Sequence, residues 1–300
     1  MDDYRLEELF DGNFYHVCTE GLEKEVLFKD DEDFRVARNY LALSAWKNNV
    51  FVLAFCLMSN HLHIMIAAQN RAQAQKFIRH LKQLYSTYMH NRYQRVEALR
   101  GQSDSIALIT DMKYFRNCVA YILRNALCAK ICNKVEEYPW SSYLAYFREK
   151  PDCSGIPVST LSERIKRQML KTRMALDGCQ YRIDNQGCII VPSFVRYDIV
   201  QLAFKRSAKL FLYHLGYCND AQMEYEYVCK PRFQANDQDL ICEAKKLARE
   251  RYSGKSLSQL TISQKSSMLK CLFFNNKSTI PQISRVLGIS RELVSSILSS

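Results

Sequence analysis

The chain has 300 residues, 48% of them hydrophobic and 24% charged, and its 42 Lys and Arg against 31 Asp and Glu give a formal charge of +11. This is globular composition, long enough for two domains or for one with an appendage, and it excludes a disordered or collagen-like polymer; with no apolar run of about 18 residues, a hydrophobic membrane-spanning helix is excluded too. The charge is polarised: residues 1–50 carry 6 basic against 12 acidic side chains, residues 51–150 carry 14 against 6, and the remainder 22 against 13. A polyanionic partner is therefore expected for the part after residue 50, the alternative being solvated helix faces.

The start, MDDYRLEELF, is acidic and lacks the basic and apolar stretches of a secretory leader, so a soluble, cytoplasmic protein is expected. Twelve cysteines stand without a Cys-x-x-Cys pair. That argues against a zinc knuckle or a disulfide framework and fits a reducing compartment.

Asn13 to Cys18 (NFYHVC) is rich in strand formers. Asp31 to Asn48 has an acidic start and then Phe34, Ala37, Leu41 and Ala45 at helical spacing, which predicts a helix. Val50 to Cys56 (VFVLAFC) reads as a buried strand, a short MSN connection turns the chain, and His61 to Ala67 (HLHIMIA) runs back beside it. Side chains alternate along a strand, so His61 and His63 point the same way, about 7 Å apart, and Leu62 points to the other face. Neutral imidazole is a common metal ligand, so the pair is a candidate metal site; a solvated polar face on a half-buried strand is the alternative.

Asn70 to Tyr93 spaces Ala74, Phe77, Ile78, Leu81, Leu84, Tyr85 and Tyr88 on one side, with Arg71, Lys76, Arg79, Lys82 and Arg92 between them, a long amphipathic basic helix. Ser105 to Thr110 (SIALIT) is another strand, and Asp111 suits the N-cap of a helix to about Ala129. Strand, helix, strand, strand, helix, strand is the order of the ferredoxin-like α+β fold, an antiparallel sheet with both helices on one face. One helix is left over. If it lies across the other face, Tyr121 and Asn125, four residues apart, share the side that looks at the histidine strand.

With YHV at Tyr15, the CLMSNHLHIMI strand, YILRN at Tyr121 and YPWSSY at Tyr138, residues 13–146 resemble the HUH-type tyrosine transposases, most closely their REP-associated branch. The resemblance implies a DNA-binding transposase that cleaves and rejoins single-stranded DNA through a 5′-phosphotyrosine. It carries the nucleophile onto Tyr121 and the ligands of a divalent metal, Mg or Mn, onto His61, His63 and Asn125. Three protein ligands leave coordination positions for substrate, and a metal beside the phosphate offsets charge for a nucleophile that is weak at its free pKa of about 10. Unbound His61 and His63 would protonate near their ordinary pKa, so activity is expected to fall as pH drops through about 6.5.

The sequence departs from the family pattern where MPNH is common and MSNH stands here, and where proline commonly follows the amide but Ala126 follows Asn125. Arg95 to Ser105 also matches poorly. These departures keep a second reading open, a domesticated DNA-binding regulator that no longer cuts. Arg79, Lys82 and Arg124 are candidate phosphate contacts, with Tyr85 or Trp140 stacking on bases; a solvated face and a core are the alternatives. His16, in an apolar strand, reads as a core or hydrogen-bonded histidine, and His80, His90 and His214 have no partner at ligand spacing.

Beyond Phe147, FREKPDCSGIPVS reads as a linker. Ser162 to Leu176 predicts a basic helix, YRIDNQGCIIV a hairpin or turn around Asn185 to Gly187, and Val195 to Leu215 another helix. At the end, STIPQISRVLGISRELVSSIL puts Ile280, Ile283 and Leu287 on one helix, a turn at Gly288, and Val294, Ile297 and Leu298 on a second that starts at Ser290. It resembles a helix-turn-helix whose second helix, with Arg291, would enter a DNA major groove, or else an αα-hairpin closing a bundle. The expected organisation is a transposase domain over 1–150, a mainly helical region over 151–255, and the helix-turn-helix over 256–300. The partner expected is DNA, single-stranded or hairpin, with no membrane, for a monomer or homodimer.

Overall fold

A computed structural model describes residues 4–19, 26–94, 104–149, 153–218, 223, 237–252, 254–275, 278 and 280–298; most of the poorly matching stretch after Arg95 lies outside them. At the centre is a four-stranded antiparallel sheet of β1 (Asn13–Thr19), β2 (Phe51–Met58), β3 (His61–Ala68) and β4 (Asp104–Ile109), in the order β2-β3-β1-β4. This is the ferredoxin-like arrangement expected from the element order. Cys18 lies opposite His63 and His16 opposite Met65, which sets the register of the two central strands. Both faces are covered, since Leu62, Ile64 and Ile66 are as deeply buried as Met65 and Ala67.

After a short turn, α1 (Leu6–Leu9), the helices begin where short polar side chains take up orphan backbone donors. Asp30 accepts from Asp33 N to start α2 (Asp31–Lys47), Asn70 from Gln73 N to start α3 (Arg71–Tyr93), and Asp111 from Tyr114 N to start α4 (Met112–Cys128). α2 and α3 pack on each other and on the sheet. α4 takes the face of Phe14, His16 and His63, as the edge-on contact of Phe14 with Phe115 at 5.1 Å shows.

The YPWSSY segment runs along the outer edge of β2. Trp140 O accepts from Leu57 N at 2.9 Å, Ser142 N donates to Phe55 O at 3.0 Å, and the Tyr138 hydroxyl donates to Leu57 O at 2.6 Å. It covers an edge that would otherwise template pairing with another chain.

Residues beyond the expected linker pack onto this unit. α5 (Glu163–Leu170) ends at Lys171 in the left-handed region, so the helix expected to reach Leu176 is shorter. β5 (Ile156–Pro157) pairs with β6 (Arg182–Ile183), and the turn that follows has Gly187 at φ +80°, its carbonyl accepting from both Arg35 and Asn39 of α2. After α6 (Val191–Phe194), the single helix expected from Val195 is two, α7 (Tyr197–Ala203) and α8 (Ala208–Tyr217), broken where Lys205 and Arg206 take positive φ. α8 and α7 pack against α4, and Arg116 Nε donates to Ala203 O at 2.7 Å.

The chain divides into two compact units, Met1–Cys218 and Asn219–Ser300, so the boundaries expected at 150 and 255 do not coincide with this division. The second unit contains α9 (Asp237–Arg251), α10 (Ile262–Asn275), α11 (Ile280–Leu287) and α12 (Arg291–Leu298) around Leu240, Ala244, Leu269, Leu272, Ile283 and Val294. Gly288 at φ +61° makes the turn between α11 and α12, and the Ser290 hydroxyl accepts from Leu293 N. Two helices and a glycine turn stand where a helix-turn-helix was expected.

In the first unit, α2 and α3 are joined by a buried carboxylate. Asp33 accepts from the Tyr88 hydroxyl at 2.7 Å, the Tyr93 hydroxyl at 3.0 Å, Arg92 at 2.5 Å and Lys29 N at 2.9 Å. Removing it takes the acceptor from the buried Tyr88 hydroxyl and from three further donors at once. Asp33→Ala is expected to lower stability by about 3 kcal/mol, measured by urea unfolding; a loss within about 0.5 kcal/mol, typical of a surface site, would contradict this.

Candidate active site

Two strands and one helix build the site. On β3, His61 and His63 face α4 with ring centroids 4.9 Å apart, and β1 contributes His16 on the same face, stacked on His63 at 5.5 Å. From α4, the Tyr121 ring stands edge-on to His63 at 5.2 Å and to His16 at 5.9 Å. One turn further along α4, Asn125 Nδ2 donates to Tyr121 O at 2.9 Å, while its side chain is also hydrogen-bonded to His61. With Nδ2 held by the helix backbone, the amide oxygen is the atom left to face the imidazole. The structure thus brings together Tyr121, His61, His63 and Asn125, all from one chain.

The inner part of the site is buried. His16 is 2%, Tyr121 3% and His63 4% exposed, while His61 and Asn125 are half-buried. Burial lowers the His16 pKa to about 4. It lowers that of His61 to about 4 as well, against the opposing pull of the Asn125 hydrogen bond. His63 falls well below the usual histidine value, through burial first and then through its two neighbouring imidazoles. All three rings are neutral at physiological pH, the state in which an imidazole nitrogen offers its lone pair to a metal. Among the described residues no three His, Cys, Asp or Glu side chains cluster as a metal site. Two imidazoles completed by an amide oxygen are a mixed nitrogen and oxygen donor set that fits a divalent cation.

The other expected contacts fare differently. The buried Lys82 ammonium sits 3.1 Å from both Asp104 oxygens and ties α3 to β4, so it does not face solvent as a phosphate contact would. The Arg124 guanidinium donates to Leu215 O near the end of α8. Arg79 is exposed on α3, and Arg291 is exposed at the start of α12 in the second unit. Tyr85 belongs to the core, its hydroxyl bonded to Leu27 O, and Trp140 stacks on Phe34 at 5.1 Å. His16 is the buried, hydrogen-bonded residue expected of it, but its place beside His63 and Tyr121 was not foreseen. The signal available was strand parity, since His16 falls between the apolar side chains Tyr15 and Val17.

The arrangement sets a tyrosine hydroxyl, a nucleophile type, beside two imidazoles, a metal-ligand type. Residues 12–105 match the model of a family described as transposase IS200 like. This segment, with the histidine strand at its centre, is similar to the IS200-like transposases. The match ends before α4, so Tyr121 and Asn125 reach the site through the fold. Among solved structures, a REP-associated tyrosine transposase bound to a REP hairpin is similar over 48% of this chain and 83% of its own, at 13% identity and a TM-score of 0.35. No curated protein is significantly similar. No helix among the described residues is long and apolar enough to cross a membrane.

Burial revises the pH dependence expected from exposed histidines. The three imidazoles have pKa values depressed in the fold, so the unfolded chain binds more protons between pH about 6.5 and about 4. Their contribution to stability is whole above that window and is lost as pH falls through it, at up to about 1.4 kcal/mol per pH unit for each ring. Metal-free protein should therefore unfold at progressively lower urea between pH 7 and 5, while Mn affinity of the folded protein stays level down to about pH 5.5. An affinity that halves at pH 6.5 contradicts the buried, neutral state.

Proposed function

We propose that this protein is a transposase that cleaves and rejoins single-stranded DNA, with Tyr121 as nucleophile and His61, His63 and Asn125 as ligands of a divalent metal, Mg or Mn. The observation that carries the proposal is the Tyr121 ring held edge-on to His63 at 5.2 Å within the same chain. Held by these three ligands, a metal would supply positive charge beside the phosphate to offset the negative charge that develops as the phosphodiester is attacked.

The chain's own groups do the rest. The Tyr121 oxygen forms a bond to phosphorus, the bond to the 3′-oxygen breaks, and a 5′-phosphotyrosine and a free 3′-hydroxyl result. A 3′-hydroxyl attacking the phosphotyrosine reverses the step and rejoins DNA, so the ester bond's energy is retained without a nucleotide cofactor. α7 and α8 hold α4 from residues beyond the matched family segment, through the bonds of Arg116 to Ala203 O and Arg124 to Leu215 O. The substrate strand enters on the side of His61 and Asn125, the half-buried members of the group. In the second unit, α11 and α12 serve as a helix-turn-helix, with Arg291 at the start of the helix that contacts duplex DNA. DNA is the partner of both units, and the protein works where its DNA is, in the cytoplasm.

Purified protein incubated with a pool of single-stranded oligonucleotides and Mn should form a covalent adduct that survives a denaturing gel, and Tyr121→Phe should form none. Binding throughout the pool without any adduct in the native protein would favour the regulator instead. Asn125→Ala is expected to raise the Mn concentration needed for the adduct by about tenfold or more while leaving DNA affinity in place; an unchanged Mn requirement removes Asn125 from the site.

A further inference from the structure

Each β3 imidazole has its Nδ1 engaged by a neighbour. His61 Nδ1 is 2.7 Å from Asn60 Oδ1. An amide oxygen only accepts, so the one proton of a neutral His61 ring serves either Asn60 or Asn125, and placed on Nδ1 toward Asn60 it leaves the Nε2 lone pair for a metal beside Asn125. His63 Nδ1 is 3.3 Å from His16 Nε2, with both side chains buried. Here the two neutral rings share one proton, and there are two ways to place it. Either His63 donates from Nδ1 to an unprotonated His16 Nε2, or His16 donates and His63 is left with its proton on Nε2. Only the first arrangement gives His63 the same free Nε2 as His61.

We infer that His16 is a positioning residue of the site: in its Nδ1–H form it accepts the Nδ1–H bond of His63 and so fixes the tautomer and ring orientation that turn His63 Nε2 to the metal. The inference rests on the proposed metal centre. A ligating histidine is tuned by whatever binds its second nitrogen, and the usual partner is a carboxylate, a carbonyl or a water. A second imidazole does the same task without bringing a negative charge into a buried site. The rings are stacked at an interplanar angle of 25°, and the same His16 ring meets Tyr121 edge-on, so one β1 side chain touches a ligand and the nucleophile together. An aromatic of equal size would serve packing alone, and burying an imidazole there has a desolvation cost that the bond to His63 offsets.

The test uses the full chain without DNA. His16→Phe keeps a ring in place and removes the acceptor, and His16→Gln returns an acceptor at similar reach. Mn affinity, followed by the electron paramagnetic resonance signal of free Mn, should weaken about 10- to 100-fold in His16→Phe and largely recover in His16→Gln. Independently, 15N resonances of the metal-free native protein should show His63 protonated on Nδ1. A native His63 protonated on Nε2, or equal Mn affinity in native and folded His16→Phe protein, overturns the inference and leaves the metal centre standing. A native protein that takes up no Mn overturns the metal centre itself, and the inference with it.

Discussion

The register between β1 and β3 is the constraint on which the site depends. With Cys18 opposite His63 and His16 opposite Met65, three imidazoles arrive on the face that receives α4. A slip of one residue in either strand would send its histidines to the other side of the sheet, because the side-chain period is two. The slip is opposed from both faces. Leu62, Ile64, Ile66 and Val17 are buried on one, and Phe14 is buried against Phe115 on the other. The Thr19 hydroxyl also accepts from Leu62 N at 3.1 Å, just where the histidine pair begins.

Burial then decides the chemistry. Imidazoles taken out of water lose the protonated state before they lose anything else, so the pair on β3 waits in the form that binds a cation. The same burial would strengthen every charge interaction within the site, including that of the proposed metal with a phosphate. It also explains the padding behind the tyrosine helix. α4 is buried along much of its length, from Met112 to Ala126, and α7 and α8 supply part of that cover from well beyond the segment that matches the family. The middle of the chain thereby has a structural task, holding Tyr121 to the sheet.

The four strands, the helices α2, α3 and α4 with the Asp111 cap, and the convergence of Tyr121 and Asn125 on one side of α4 were legible in the sequence, because period and capping chemistry are local signals. Other features were not local. The breaks at Lys171 and at Lys205–Arg206 use left-handed residues without glycine, which no composition announces. Lys82 looks like any basic residue of an amphipathic helix until Asp104, 22 residues on, is seen beside it. Tyr85 stayed open between a base-stacking aromatic and a core residue because burial cannot be told from amphipathic spacing alone. The pKa of a histidine is likewise a property of its surroundings, so a pH dependence written for exposed rings does not carry over to buried ones.

The central claim is that the buried histidine pair and the amide of α4 hold a divalent metal beside Tyr121, and diffraction from crystals grown with Mn tests it most directly. The account predicts one anomalous peak within about 2.0–2.3 Å of His61 Nε2, His63 Nε2 and Asn125 Oδ1, next to the Tyr121 hydroxyl. A peak on other side chains, or none at the histidine pair when Mn saturates the crystal, would contradict it.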